Sequence, residues 1–190
     1  MNKVSIAIFA SGAGSNAVNL INHFANHPKI EVRTVFCNKA DALVIKKAQD
    51  LGVEACCFSN QHFENAAFLT EELTKRNVIW IILAGFLRKI PEQLVASFPN
   101  RIINIHPSLL PKYGGKGMYG MHVHKAVIAA NEQKSGITIH LIDEEFDKGR
   151  IIEQFETTIE PTDTAEDLAK KIHILEQEYF PVVVENTILN

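Results

Sequence analysis

The sequence predicts an α/β fold built on a mostly parallel sheet, and three observations point there. Apolar runs of strand length recur without strict polar alternation, as expected of strands covered on both faces. Between them lie segments whose apolar residues repeat at helical spacing. Toward the C-terminus the alternating run Thr138 to Ile142 is answered by Ile151 to Thr158, which predicts an antiparallel hairpin added to the parallel strands. A chain of 190 residues is long enough to bury roughly 70% of its unfolded surface, so residues 1–190 read as a single domain that needs no staple.

Val4 to Phe9 is the first strand, and it leads into Ser11-Gly12-Ala13-Gly14-Ser15-Asn16. Val18, Leu20, Ile21 and Phe24 then repeat at helical spacing, so the loop ends at a helix N-terminus with Ser15 or Asn16 as the cap. Strand, glycine loop and helix is a Rossmann-like arrangement in which backbone N–H groups and the helix dipole converge on an anion. Ala17 stands at the third glycine position of G-x-G-x-x-G, a permitted variant. The acidic residue a dinucleotide needs after the second strand is replaced by Phe36-Cys37-Asn38-Lys39. The loop therefore reads as a site for one phosphate, and a nicotinamide-dependent oxidoreductase is the poorer reading.

Arg33 to Cys37 is the second strand and Ala42 to Leu51 a helix ended by Gly52. Val53 to Phe58 is the third strand. Phe63, Ala67, Phe68 and Leu73 make Gln61 to Arg76 one amphipathic helix. Val78 to Leu83 is the most apolar strand, with Trp80 in the core. Gly85 to Pro91 closes it, at the strand end where α/β folds bind ligands, though a solvated turn before the helix Glu92 to Phe98 explains it too.

Arg101-Ile102-Ile103 runs into Asn104-Ile105-His106, and Pro107 stops the strand. Residues two apart on a strand share a face at about 6.6 Å, so Asn104 and His106 point together beyond the strand end. Taken alone the pair reads first as a turn cap and a satisfied histidine. Lys112 to Gly120 carries four glycines and forms either a flap or a tolerated insertion. His122 and His124 open a helix from about Lys125 to Asn131, and their spacing puts them on different faces, which does not suit a metal. Thr164 caps the last long helix, whose stripe is Leu168, Ile172 and Leu175 and which Pro181 interrupts before Val182 to Ile188.

Composition excludes several classes of function. Lys and Arg number 19 against 22 Asp and Glu, a formal charge of −3 without a basic block, so neither nucleic acid nor an anionic membrane is the expected partner. The longest apolar run, Val78 to Leu87, falls short of the ~20 residues of a membrane span. Cys37, Cys56 and Cys57 have neither zinc nor disulfide spacing, which fits a reducing cytoplasm and assigns them no chemistry.

Asn104-Ile105-His106-Pro107-Ser108-Leu109-Leu110-Pro111, preceded by Ala84-Gly85-Phe86-Leu87-Arg88 and followed by a strand and Asp147, closely resembles the folate-dependent formyltransferases. The resemblance covers Val4 to about Pro181, and Gly14-Ser15-Asn16 narrows it to the branch that formylates glycinamide ribonucleotide in purine synthesis. It implies the formyltransferase fold and 10-formyltetrahydrofolate as cosubstrate, with no metal. Asn104 and His106 would hold the oxyanion formed when the substrate amine attacks the formyl carbon, and Asp147 would orient the histidine and assist proton transfer. Gly14, Ser15, Asn16 and Ala17 would bind the substrate with Glu176 beside its ribose and amine. Leu87, Arg88, Lys89 and Ile90, together with Asn104, Leu141, Ile142 and Asp143, would line the folate pocket.

Three departures from the family pattern stand out. Lys148 replaces the first glycine of Asp-Gly-Gly, Asn65 stands near where members offer a base to the folate tail, and the glycine-rich insertion before His122 is longer. Formyltetrahydrofolate hydrolase and methionyl-tRNA formyltransferase would add a domain before or after this core, for which 190 residues leave no room. A sugar-nucleotide formyltransferase fits the monoester loop less well. The expected state is a cytoplasmic monomer or homodimer that binds small molecules.

Overall fold

The first apolar run forms β1 (Val4–Ala10), and all its residues after Val4 are buried, so both faces of the strand are covered. This computed structural model describes residues 3–143, 147 and 149–190. Among them, α1 (Ser15–Phe24), β2 (Ile30–Cys37), α2 (Leu43–Asp50), β3 (Glu54–Cys57), α3 (Asn60–Glu64), α4 (Ala66–Lys75), β4 (Trp80–Leu83), α5 (Glu92–Ser97) and β5 (Ile102–His106) follow in order. They are succeeded by α6 (Met121–Ala129), β6 (Lys134–Leu141), β7 (Ile151–Thr158) and α7 (Ala165–Leu189). The strands form a mostly parallel seven-stranded sheet in the order β3-β2-β1-β4-β5-β6-β7. The chain divides into two compact units, one ending at Ile103 and the other beginning at Asn104.

In the first unit β1 pairs in parallel with both β2 and β4, and β2 pairs in parallel with β3. Its core gathers Ile6, Ile8, Leu20, Val35, Leu69 and Ile82. The ring of Phe9 lies 5.3 Å from Phe36, 5.7 Å from Phe63 and 5.4 Å from Phe86, edge-on to the last two. In the second unit β6 and β7 pair antiparallel as the alternation predicts. Gly136 is required in that pairing because a Cβ there would lie 2.0 Å from the Phe155 carbonyl oxygen. Val123, Val127, Ile137, Ile139, Leu168, Ile172 and Phe180 make the second core.

Several sequence expectations are corrected. Gln61 to Arg76 is not one helix: the chain breaks at Asn65, whose side chain takes the Phe68 N–H and starts α4 afresh. Pro181 does not interrupt the last helix, for α7 runs through it. The lost hydrogen bond costs about 3 kcal/mol, which burial of Phe180, Val183 and Val184 on the same stretch offsets. Neither Ser15 nor Asn16 caps α1; Gly14 does, at φ 74°, without any side-chain bond. Helix α6 starts at Met121 and not Lys125 because Gly120, at φ 51°, turns the chain into it, and Asn131 at φ 52° ends the reversal beyond. Strands β2 and β6 begin earlier than their apolar stretches, at Ile30 and Lys134, since each is paired to its neighbour from that residue. Trp80 is only half-buried.

Candidate active site

Strand β5 ends where Pro107 forbids another ladder bond, and this delivers His106, 4% exposed, to the strand end with Asn104 on the same face. The chain beyond is tied down by Thr138 of β6. Its hydroxyl donates to the Ser108 carbonyl at 2.6 Å and accepts from the Leu110 N–H at 2.9 Å and the Gln154 amide at 2.8 Å. Gln154 of β7 also donates to the Leu110 carbonyl at 3.0 Å. The hairpin thus holds the stretch after His106 in place.

Asn104 is oriented by His140, a fully buried residue two along β6 from Thr138. His140 Nδ1 lies 3.1 Å from the Leu141 carbonyl oxygen, which only accepts, so Nδ1 carries the proton. Nε2 is therefore the acceptor, and the Asn104 amide presents its NH2 to it at 3.0 Å. Burial holds His140 below the usual histidine range, with Asp147 opposing, which agrees with a neutral ring. Asn104 is left with a second N–H to donate.

His106 Nε2 donates to the Tyr113 carbonyl at 2.8 Å, while its Nδ1 stands 3.7 Å from Asp147 Oδ2. That distance is an ion-pair approach rather than a hydrogen bond. Asp147 adopts φ 54° and accepts the Gly115 N–H at 2.8 Å, and its other oxygen lies 3.8 Å from His140 Nε2. Gly114 must be glycine because a Cβ would meet Leu110 Cδ2 at 2.5 Å and Asp147 Cβ at 3.2 Å. The glycine-rich segment thus lies on the two groups predicted to be catalytic. Tyr113 OH and Lys112 both bond Glu132, at 2.9 and 2.8 Å.

The first unit holds the other predicted residues. Gly14 takes a left-handed backbone, and a Cβ on it would stand 2.5 Å from Val44 Cγ2. Helix α2 packs on the loop there: the Val44 N–H donates to the Gly12 carbonyl at 3.2 Å and Lys47 Nζ to the Ala13 carbonyl at 2.9 Å. Ser11 joins this loop to the turn after β4, since its hydroxyl donates to Asn38 Oδ1 at 2.7 Å and accepts the Leu87 N–H at 3.1 Å. Ile90 is buried and Lys89 pairs with Glu92. Arg88 turns to Glu64, 2.8 Å away.

In the second unit, Glu176 lies 3.7 Å from His173 Nδ1, Leu141 is buried, Ile142 half-buried and Asp143 exposed. Lys148 and the segment 144–146 lie outside the described residues. Sequence reasoning passed over His140, Thr138, Gln154 and Ser11. Thr138 and His140 share one face of an alternating strand, a signal legible by period; that Ser11 reaches Leu87 was not, since 76 residues separate them. Among the described residues no group of three or more His, Cys, Asp or Glu is placed to hold a metal ion, and no helix is long and apolar enough to cross a membrane.

A formyl transferase family model matches residues 4–184. The chain belongs to the formyl transferase family. Among relatives of this family, the phosphoribosylglycinamide formyltransferase of Bacillus subtilis is 35% identical over 184 residues, 94% of this chain and 92% of that protein. The chloroplastic phosphoribosylglycinamide formyltransferase of Arabidopsis thaliana is 38% identical over 186 residues, and the chain spans 63% of its length. Among solved structures, the phosphoribosylglycinamide formyltransferase of Streptococcus pneumoniae superposes with a TM-score of 0.86 at 32% identity over 99% of both chains. That of Anaplasma phagocytophilum gives 0.88 at 29% identity, over 96% of this chain and 85% of that one. These likenesses establish for this formyl transferase the fold described above.

Proposed function

We propose that the chain transfers the formyl group of 10-formyltetrahydrofolate to the amine of N1-(5-phosphoribosyl)glycinamide, a step of purine biosynthesis, with residues 1–190 acting as a single formyltransferase domain. The observation that carries this reading is the match to a named phosphoribosylglycinamide formyltransferase along 92% of that protein's length. The cluster around Asn104, His106 and Asp147 supports it.

The amine nitrogen bonds to the formyl carbon as the carbonyl π electrons move to oxygen. The C–N bond to the folate then breaks, and the proton shed by the amine goes to the departing nitrogen. The second N–H of Asn104 and the Nε2–H of His106 donate to the oxyanion, each worth about 3 kcal/mol. For His106 this means exchanging the Tyr113 carbonyl for the oxyanion, so the glycine-rich segment shifts as substrate enters. Asp147 orients the ring and passes the proton through water, in keeping with its 3.7 Å separation from the ring.

Gly14, Ser15, Asn16 and Ala17 hold the ribonucleotide phosphate and Glu176 the ribose and amine. Leu87, Arg88, Lys89, Ile90, Leu141, Ile142 and Asp143 take the folate. Arg88 would have to leave Glu64 to reach it. The reading includes a cytoplasmic location, with which three unpaired thiols agree, and a monomer or homodimer. The deciding assay follows folate release from 10-formyltetrahydrofolate with and without glycinamide ribonucleotide. Release that requires the amine is expected. Release without it would overturn the transferase reading in favour of a hydrolase.

A further inference from the structure

Cys37 and Cys57 end adjacent parallel strands, β2 and β3, and are direct partners in the register. The Phe58 N–H donates to the Cys37 carbonyl at 2.9 Å, which holds the two strand ends together at that level. Neighbouring parallel strands lie about 4.8 Å apart, inside the roughly 4.4–6.8 Å between Cα atoms that a disulfide spans. Directly paired residues also point to one face of the sheet.

Cys56 is one residue before Cys57 and faces the other way. Its sulfur lies 3.4 Å from Arg76 Nη2 and 3.5 Å from Glu54 Oε1, on the face where Arg76 stacks over Phe36. It is therefore directed away from Cys37.

We propose that Cys37 and Cys57 are a redox pair that closes a disulfide across β2 and β3 in response to a peroxide. Cys57 is exposed and reacts first. Its thiolate attacks one peroxide oxygen, giving the sulfenic acid and, after proton uptake, water. The Cys37 sulfur, buried beneath, then attacks the Cys57 sulfur, forms the S–S bond and expels hydroxide, which leaves as a second water with the Cys37 proton. Two thiols are oxidised and one peroxide is reduced.

Burial pushes the Cys37 thiol up and the neighbouring Cys57 adds to this, which suits Cys37 as the second and not the first nucleophile. Cys37 Sγ already sits at the backbone of Lys39, 3.3 Å from its carbonyl oxygen and 3.4 Å from its nitrogen. Turning the sulfur to Cys57 gives up those contacts around Asn38. Asn38 is the residue that accepts from Ser11, which in turn accepts the Leu87 N–H. Closure of the disulfide is thereby felt at the loop before Gly12 and at the turn after β4.

The test treats purified, reduced protein with hydrogen peroxide, alkylates the remaining thiols and maps linked peptides by mass spectrometry. The expected product is lighter by two hydrogens, joins the Cys37 peptide to the Cys57 peptide, leaves Cys56 alkylated and reverts with dithiothreitol. Cys56→Ser should still form it and Cys57→Ser should not, both with unchanged circular dichroism. A Cys56–Cys57 bond, a bond between two chains, or Cys57 overoxidised beside an alkylatable Cys37 each overturns the pair. In the oxidised protein the Leu87 amide should exchange hydrogen several-fold faster; an unchanged rate overturns the coupling through Asn38 and Ser11.

Discussion

His140 and Asp147 meet their neighbours in the cluster by different means. His140 is buried, proton-bearing at Nδ1 and accepting at Nε2, so it fixes which end of the Asn104 amide points to it. Asp147 stands back from His106 at 3.7 Å, its carboxylate held by the Gly115 N–H. In the proposed reaction both His106 and Asp147 would serve charge that develops only in the transition state. His106→Ala and Asp147→Asn should each lower kcat by at least about a hundredfold with an intact fold. In the proposed mechanism the carboxylate acts through the imidazole, so the double variant should lose little more than His106→Ala alone. Steady-state kinetics on the four proteins checks this, and fully additive losses would separate the two roles.

At the scale of the element, the junction of the glycine loop with α1 depends on one residue. Gly14 needs its left-handed backbone and also the missing Cβ, because Val44 of α2 fills that space. A left-handed non-glycine residue costs about 1–2 kcal/mol, and the contact at 2.5 Å adds to it. Gly14→Ala should thus lower unfolding free energy in urea by about 1–3 kcal/mol, and Val44→Ala added to it should recover little, because the Val44 Cβ that alanine keeps already lies 2.6 Å from the new methyl. A Gly14→Ala protein as stable as the parent would disprove this account. That the loop precedes a helix was legible from the recurrence of Val18, Leu20, Ile21 and Phe24; the cap was not, since Ser15 and Asn16 have the preferred side chains and the backbone of Gly14 decided otherwise. Period failed at Asn65 and Pro181 for the opposite reason. A polar side chain broke a helix whose stripe continued, and burial carried another through its proline.

For the whole molecule, the α/β class and the antiparallel hairpin were legible because strand burial and helix period repeat over many residues, whereas the strand order, which joins residues far apart in the chain, was not. The site was legible only in part, since Asn104 and His106 share a strand while His140 reaches Asn104 from 36 residues away and Thr138 holds the turn at Ser108 and Leu110 from the same strand. The buried histidines have a consequence for stability as a whole. His124 is 6% exposed, its Nδ1 has no hydrogen-bond partner among the described residues, and burial lowers it from 6.5, with His106 adding to the effect. His140 is lowered from 6.5 by burial, with His106 in support and Asp147 and Asp143 opposed. Between those lowered values and 6.5 the unfolded chain binds protons that the fold refuses. Stability therefore rises with pH through that window and is lost as pH falls through it, by at most about 1.4 kcal/mol per pH unit for each histidine. Urea unfolding at about pH 7.5 and about pH 5.5 should show the loss, and His124→Leu, which removes one of the two groups, should make it smaller. An equal loss in His124→Leu would remove that residue from the balance and leave His140 to account for it.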